Sequence, residues 1–197
     1  SYKKLLAREE RTVNVLSLSQ AHIAAGDSGK AVVLLEGWVA KHQNDKLATK
    51  VLAEVQHRSG NYVAARQTYN KVIKNDPTDA SSLNNFASLL MQLKDGEAQA
   101  MAERAVKLAP EHPAYLDTLG WILVSKGQVD SGLRYLREAR LRDPENADIR
   151  LHLSYALSKN GRTQESREEL LAIANTKNSA ATLQSELFRR LKHELGI

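Results

Sequence analysis

The chain has 197 residues, 28 Lys and Arg against 23 Asp and Glu for a net charge of +5, and no cysteine. The missing cysteines exclude disulfides and thiol chemistry. The charge is too evenly spread for a nucleic-acid footprint, which gathers Lys and Arg on one face, and no apolar stretch approaches the ~20 residues that span a bilayer.

Residues 1–11 read as a helical extension that runs into the next segment without a breaker, or as the second helix of a preceding unit. From Thr12 one block then recurs, over 12–45, 46–79, 80–112, 113–146 and 147–180. Each copy has apolar residues at helical spacing, a glycine, a second helical stretch and a polar stop. The first keeps Leu18-Ser19, Gly26, Ala31 and Leu35, with bulky Trp38 at a small position and Gln43 where later copies have proline. The second carries Leu52-Ala53, Gly60, Ala65, Tyr69, Val72 and Pro77. The third carries Leu83, Phe86-Ala87, Leu90, Ala98, Ala102, Ala105 and Pro110, and is one residue short between Leu90 and Ala98. That deletion predicts a tighter turn around Lys94-Asp95-Gly96.

The fourth copy is the clearest: Leu116, Leu119-Gly120, Leu123, Gly127, Gly132, Leu136, Ala139 and Asp143-Pro144. The fifth keeps Leu153-Ser154, Leu157, Gly161, Ser166, Leu170 and Ile173, with Asn178 in place of proline. Residues 181–197 predict a capping helix, with Leu183, Leu187, Leu191 and Leu195 at every fourth position of Ala181–Leu195. A terminal helix with one wet face covers the last apolar surface of such an array.

Prolines 77, 110 and 144 lie 33 and 34 residues apart, a period that marks a helical repeat array. Ala53, Ala87, Gly120 and Ser154 are predicted where paired helices cross, since close approach needs a small side chain. Gly26, Gly60, Gly127 and Gly161 fall where a left-handed residue closes a helix. Asp79 and Asn146 are predicted N-caps, and Asp76-Pro77 and Asp143-Pro144 predicted stops. With these residues the chain resembles the tetratricopeptide repeat family. The resemblance implies an all-α, right-handed superhelix (an α-solenoid) of about five helix-turn-helix repeats plus a C-terminal capping helix, working as a protein–protein interaction scaffold.

The residues show no catalytic constellation. The six histidines, at 22, 42, 57, 112, 152 and 193, form no metal-ligand spacing. His22 is read as packed, and His57 and His152 as surface or partner contacts. No glycine-rich loop precedes a helix, and Glu9-Glu10 and Glu168-Glu169 are adjacent, so each pair points to different helix faces. The expectation is no enzyme activity, no cofactor and no metal. Arg134, Arg137, Arg140 and Arg142 are read as a solvated convex face.

In this family first helices line the concave surface, and the resemblance projects that groove onto the sequence. It places Leu47, Lys50, Glu54 and Arg58 in the second copy, then Asn84, Ser88, Met91 and Gln92 in the third. Asp117, Trp121, Val124 and Ser125 follow in the fourth, then Asp148, Leu151, Tyr155 and Lys159 in the fifth. The expected partner is a protein or peptide, with no nucleic acid, and with membrane contact only through an anchor upstream. Trp121 is either the binding anchor or packing against the next unit. A chaperone-type carboxylate clamp is not expected, because Glu54, Ala114 and Thr118 stand where amide and cationic groups would be needed.

Four segments extend the resemblance: Leu83-Asn84-Asn85-Phe86-Ala87, Ala102–Pro110, Leu116–Val124 and Arg150–Leu157. Together they are similar to the C-terminal region of the repeat-rich lipoproteins of bacterial PEP-CTERM and exosortase systems. This implies an exported scaffold of the cell envelope, linked to exopolysaccharide or surface-protein sorting, whose signal and lipidated cysteine would precede Ser1. A partner-recruiting arm of a larger enzyme, such as a glycosyltransferase, is the other expectation.

Overall fold

The computed structural model describes residues 2–176 and 179–197, with side chains from Arg11 onward. The Asn178 substitution and the Glu9-Glu10 pair therefore lie outside what it describes at side-chain level. Among the described residues the elements are helical, with no strand. They are α1 (Tyr2–Ala24), α2 (Ser28–Lys41), α3 (Lys46–Arg58), α4 (Tyr62–Asn75), α5 (Ala80–Gln92) and α6 (Ala98–Leu108). After these come α7 (Pro113–Ser125), α8 (Val129–Arg142), α9 (Ala147–Lys159), α10 (Thr163–Ala172), a 3-10 turn at Ile173–Asn175, α11 (Ala180–Leu183) and α12 (Glu186–Glu194).

Turn chemistry explains the boundaries. Gly26, Gly60, Gly127 and Gly161 take φ of 81°, 78°, 81° and 79°. In each turn the next amide reaches back five residues: Asp27 to His22, Asn61 to Gln56, Gln128 to Leu123 and Arg162 to Leu157, at 2.8–2.9 Å. This closes the helix on its own last carbonyls. The side chains of Asp45, Asp79 and Asn146 accept from the first-turn amides of α3, α5 and α9.

Two expectations fail here. The turn after α5 is not tighter: it occupies residues 93–97, against three residues in the turns at 59–61 and 126–128. It makes the same closure, Asp95 N–H to the Leu90 carbonyl at 2.8 Å, but Lys94 rather than a glycine takes the left-handed conformation, at φ 55°. The deletion is absorbed by α6, which has 11 residues where α4 and α8 have 14. The capping segment, in turn, is two helices and not one. Ser185 is extended (ψ 149°), and its hydroxyl accepts from the Phe188 amide to start α12 afresh.

Packing divides the chain into two units, residues 1–95 and 96–197. In the first, Ala31, Val32, Leu35, Leu52 and Val55 form a core with Val15, Leu16 and Ile23 of α1 against it. Tyr69 stacks on Phe86 at 5.6 Å. Asp45 accepts from Thr12, Trp38 Nε1 and its own capped helix at 2.6–3.0 Å, which accounts for a tryptophan at a position that is otherwise small.

In the second unit α7 and α8 meet at two glycines. A Cβ on Gly120 would lie 2.7 Å from Leu136 Cγ and 3.0 Å from the Gly132 carbonyl oxygen. A Cβ on Gly132 would lie 2.5 Å from Val124 Cγ2 and 2.7 Å from the Gly120 carbonyl oxygen. One repeat later Ser154 and Ser166 each donate to the other's backbone carbonyl at 2.8 Å, so their hydroxyls are satisfied inside the crossing. At the end of the unit Ala147, Leu151, Leu170, Ile173, Leu191 and Leu195 form a core flanked by Leu183, Leu187 and Phe188. Leu191 and Leu195 are buried, and each stabilises the end of the array by about 1.5–3 kcal/mol.

Candidate functional site

The projected wall residues behave differently in the two units. In unit 1, polar groups mostly pair with one another. Lys50 Nζ lies 2.9 Å from an oxygen of Asp79. Asp79 itself is an N-cap with Ser82 as donor. Burial raises the Asp79 pKa, but the bonds from Lys50 and Ser82 outweigh it, so the net direction is downward. Glu54 accepts from Asn85 Nδ2 at 3.3 Å, and His57 Nε2 meets Gln92 Oε1 at 3.2 Å. Arg58 and Gln92 are exposed, and Ser88 and Met91 half-buried. Asn84, projected onto the wall, is instead buried, with its Oδ1 unpaired. An open cleft of about 240 Å³ lies beside Lys50, with Lys46, Leu47 and Asp79 on its lining.

In unit 2 the residues gather into one cluster. Asp117 and Trp121 are one turn apart on α7; His152, Tyr155 and Lys159 follow at i, i+3 and i+7 on α9, and so share a face. Trp121 stacks on His152 with centroids 4.3 Å apart and planes 14° from parallel, and meets Tyr155 edge-on at 5.2 Å. His152 Nδ1 lies 2.9 Å and 3.0 Å from the two Asp117 oxygens. Lys159 Nζ sits 5.3 Å from the Tyr155 ring centroid, and the Arg190 guanidinium of α12 sits 5.6 Å from it. Burial lowers the His152 pKa, yet the charge and hydrogen bond of Asp117, helped by Asp148, outweigh it. The net direction is upward from the ordinary 6.5.

This arrangement revises several expectations. Trp121 does pack against the next repeat, through His152 and Tyr155, while staying half-buried. Val124 and Leu151 do not line the wall: Val124 is in the core with Leu153 and Leu157, and Leu151 lies under the terminal helices. Asp148 is exposed but accepts from Thr182 of α11 at 2.6 Å. His152 is no free contact residue, since Asp117 and Trp121 both hold it. Of the four arginines read as a solvated face, Arg134 is exposed, and Arg137, Arg140 and Arg142 are paired with Glu165, Glu169 and Glu138. Sequence reasoning missed the roles of His152 and Arg190. The i, i+3 spacing of His152 and Tyr155 could have revealed the first; nothing in local spacing points to the second.

Among the described residues no three His, Asp or Glu side chains gather as metal ligands. Nor, among the described residues, is any helix long and apolar enough to cross a membrane.

A family model described as a tetratricopeptide repeat matches residues 22–93 and 123–187. A TPR repeat-containing protein of Pseudomonas aeruginosa is 37% identical over 84 residues, covering 42% of this chain and 14% of that protein. The cellulose synthase 2 operon protein C of Komagataeibacter xylinus is 27% identical over 132 residues, covering 66% of this chain and 10% of that protein. The chain thus spans a small part of the length of the curated relatives it matches. Among solved structures, PilF of Pseudomonas aeruginosa superposes with a TM-score of 0.79 at 20% identity, over 96% of this chain and 85% of the other.

Proposed function

We propose that this chain, which belongs to the tetratricopeptide repeat family, is a non-enzymatic scaffold that binds a protein or peptide along its first-helix walls. In this reading the five copies from 12–45 to 147–180 are the stacked repeats, residues 1–11 extend them, and 181–197 cap them. The observation that carries the proposal is the cluster of Trp121, His152 and Tyr155 with Asp117 and Lys159 around it. Aromatic side chains held rigid and half-exposed lose little entropy on binding, which is why Trp and Tyr dominate hot spots. His152 stacks on Trp121, and Asp117 orients His152, so the ring is set before a partner arrives. Lys50, Glu54, Arg58, Ser88, Met91 and Gln92 supply the corresponding wall of unit 1.

The finer reading is an exported bacterial protein of the cell envelope, lipid-anchored and associated with exopolysaccharide or surface-protein export. Its support is the resemblance to repeat lipoproteins of the PEP-CTERM systems, and the likeness to a protein named for a cellulose synthase operon.

The test is affinity capture from an envelope extract. Trp121→Ala should weaken capture of the partner by about tenfold or more and keep the helical circular-dichroism signal, with a modest fall in melting temperature from the lost contacts to His152 and Tyr155. Arg137→Ala with Arg140→Ala should leave capture intact. Loss of capture from the arginine changes, with Trp121→Ala silent, would place the binding face elsewhere.

A further inference from the structure

We propose that the aromatic corner of unit 2 receives an acidic side chain from an extended, otherwise apolar peptide segment, and that the terminal helix α12 supplies one of the two cations that hold it. The proposal rests on the partner-binding reading above and names the chemistry of the partner.

Charge accounting within unit 2 carries it. Most arginines of this unit that lie near acids are matched: Arg137 with Glu165, Arg140 and Arg150 with Glu169, Arg142 with Glu138. Of the acids of the wall, Asp117 is held by His152, while Asp148 accepts from the neutral Thr182 hydroxyl and keeps its charge on the far side, toward α11. Lys159 and Arg190 are different. They come from separate helices, α9 and α12, yet converge on the one ring of Tyr155 at 5.3 Å and 5.6 Å. Lys159 has no carboxylate within ion-pair distance among the described residues. Arg190 has only Glu194, at 3.7 Å on an exposed i, i+4 pair that contributes little.

Two cations 5.3 Å and 5.6 Å from one ring centroid, neither matched by a strong ion pair, give the corner a positive charge that an entering anion offsets. A carboxylate there is attracted by both charges and gains a charge-assisted hydrogen bond where it meets one of them. Its flanking residues would meet Trp121 and Tyr155, which are half-buried, and the partly buried Leu187 and Phe188. The fit is therefore a Glu or Asp between apolar residues. The cap thus has a second role, because the helix that covers the last core also reaches the wall.

The experiment uses the whole chain and fluorescein-labelled peptides of alternating Glu and Leu, blocked at both ends, with matched peptides carrying Gln or Lys in place of Glu. Binding is read by anisotropy, and the Trp121 indole resonance by NMR. The Glu–Leu peptide should bind about tenfold more tightly than the Gln–Leu peptide, and the preference should shrink as salt is raised. Lys159→Gln and Arg190→Gln should each weaken it about fivefold without changing binding of the Gln–Leu peptide. Melting curves accompany both variants, and Lys159→Gln, away from the cap, decides the matter if Arg190→Gln loosens α12.

Equal binding of the Glu and Gln peptides overturns the inference. So does a preference that survives both charge variants, or one that arises only when the peptide's own C-terminus is left free. If Trp121→Ala weakens every peptide while the charge variants are silent, the acidic partner falls and the wall reading stands. If Trp121→Ala is silent for every peptide, both fall.

Discussion

His57 in unit 1 and His152 in unit 2 are both half-buried on first helices, and their pKa values move in opposite directions. For His57 burial leads the downward shift, Arg58 adds to it, and the bond to the Gln92 amide only partly opposes it. For His152 burial also pulls the pKa down, but Asp117 and Asp148 overcome it. What differs is the neighbour: a neutral amide on the next first helix in one unit, a carboxylate in the other. Within each unit the repeat brings residues 35 apart on neighbouring first helices together, and the side chain at one of them sets the charge of the wall.

The helix crossings make the same point in apolar terms. Unit 2 uses Gly120 with Gly132, whereas the corresponding positions of unit 1 carry Ala53 and Ala65, both with no exposed surface. The sharpest way to break the comparison is therefore Gly132→Ala. The new Cβ would press on a backbone carbonyl that cannot step aside, an overpacking loss of about 1–3 kcal/mol. Gly120→Leu should lose at least as much, since its side chain enters the Leu136 contact. Chemical denaturation measures both, and an unchanged midpoint would show that α7 and α8 pass farther apart than described.

A smaller effect separates the histidines. His152 has a raised folded pKa, so its contribution is full below its unfolded value of 6.5 and fades as pH rises through the folded value. His57 has a lowered one, so its contribution is full above 6.5 and fades as pH falls through the folded value. Denaturation midpoints of His152→Gln should thus approach wild type with rising pH, and those of His57→Gln with falling pH. Parallel profiles would erase the contrast. Asp117→Asn sharpens it further: it should bring the His152 titration, followed by NMR, down toward that of His57.

The smallest expected change lies in the turn after α5. Lys94→Gly removes the left-handed strain of a residue with a Cβ and should stabilise by about 1 kcal/mol, read as a higher melting temperature. No gain would mean that the strain is taken up elsewhere in residues 93–97.

Much of this was legible in the sequence, for local reasons. Glycine after a first helix, aspartate or asparagine before the next, and a small residue at each crossing all act within a few residues of themselves. Lys94 was hidden because the deletion suggested a shorter turn, whereas the chain keeps the helix closure and loses the residue from α6. The split at Ser185 was masked by leucines that keep their four-residue spacing through the break. Arg190 could not be assigned to the wall, because its ring partner lies 35 positions away on another helix. The projected positions Val124 and Leu151 were misplaced for a related reason: projection fixes the direction of a side chain, not what later elements lay over it.

The paired glycines at 120 and 132 also mean that corresponding helices of repeats of equal length are not interchangeable parts. A chimera that placed α4 behind α7 would bring the Ala65 methyl group to the position where a Cβ meets the Gly120 carbonyl at 2.7 Å. The reverse graft, α8 behind α3, would leave a methyl-sized gap beside Ala53. Each helix pair is a matched lock, so recombination that respects the period would still have to cut between pairs rather than within them.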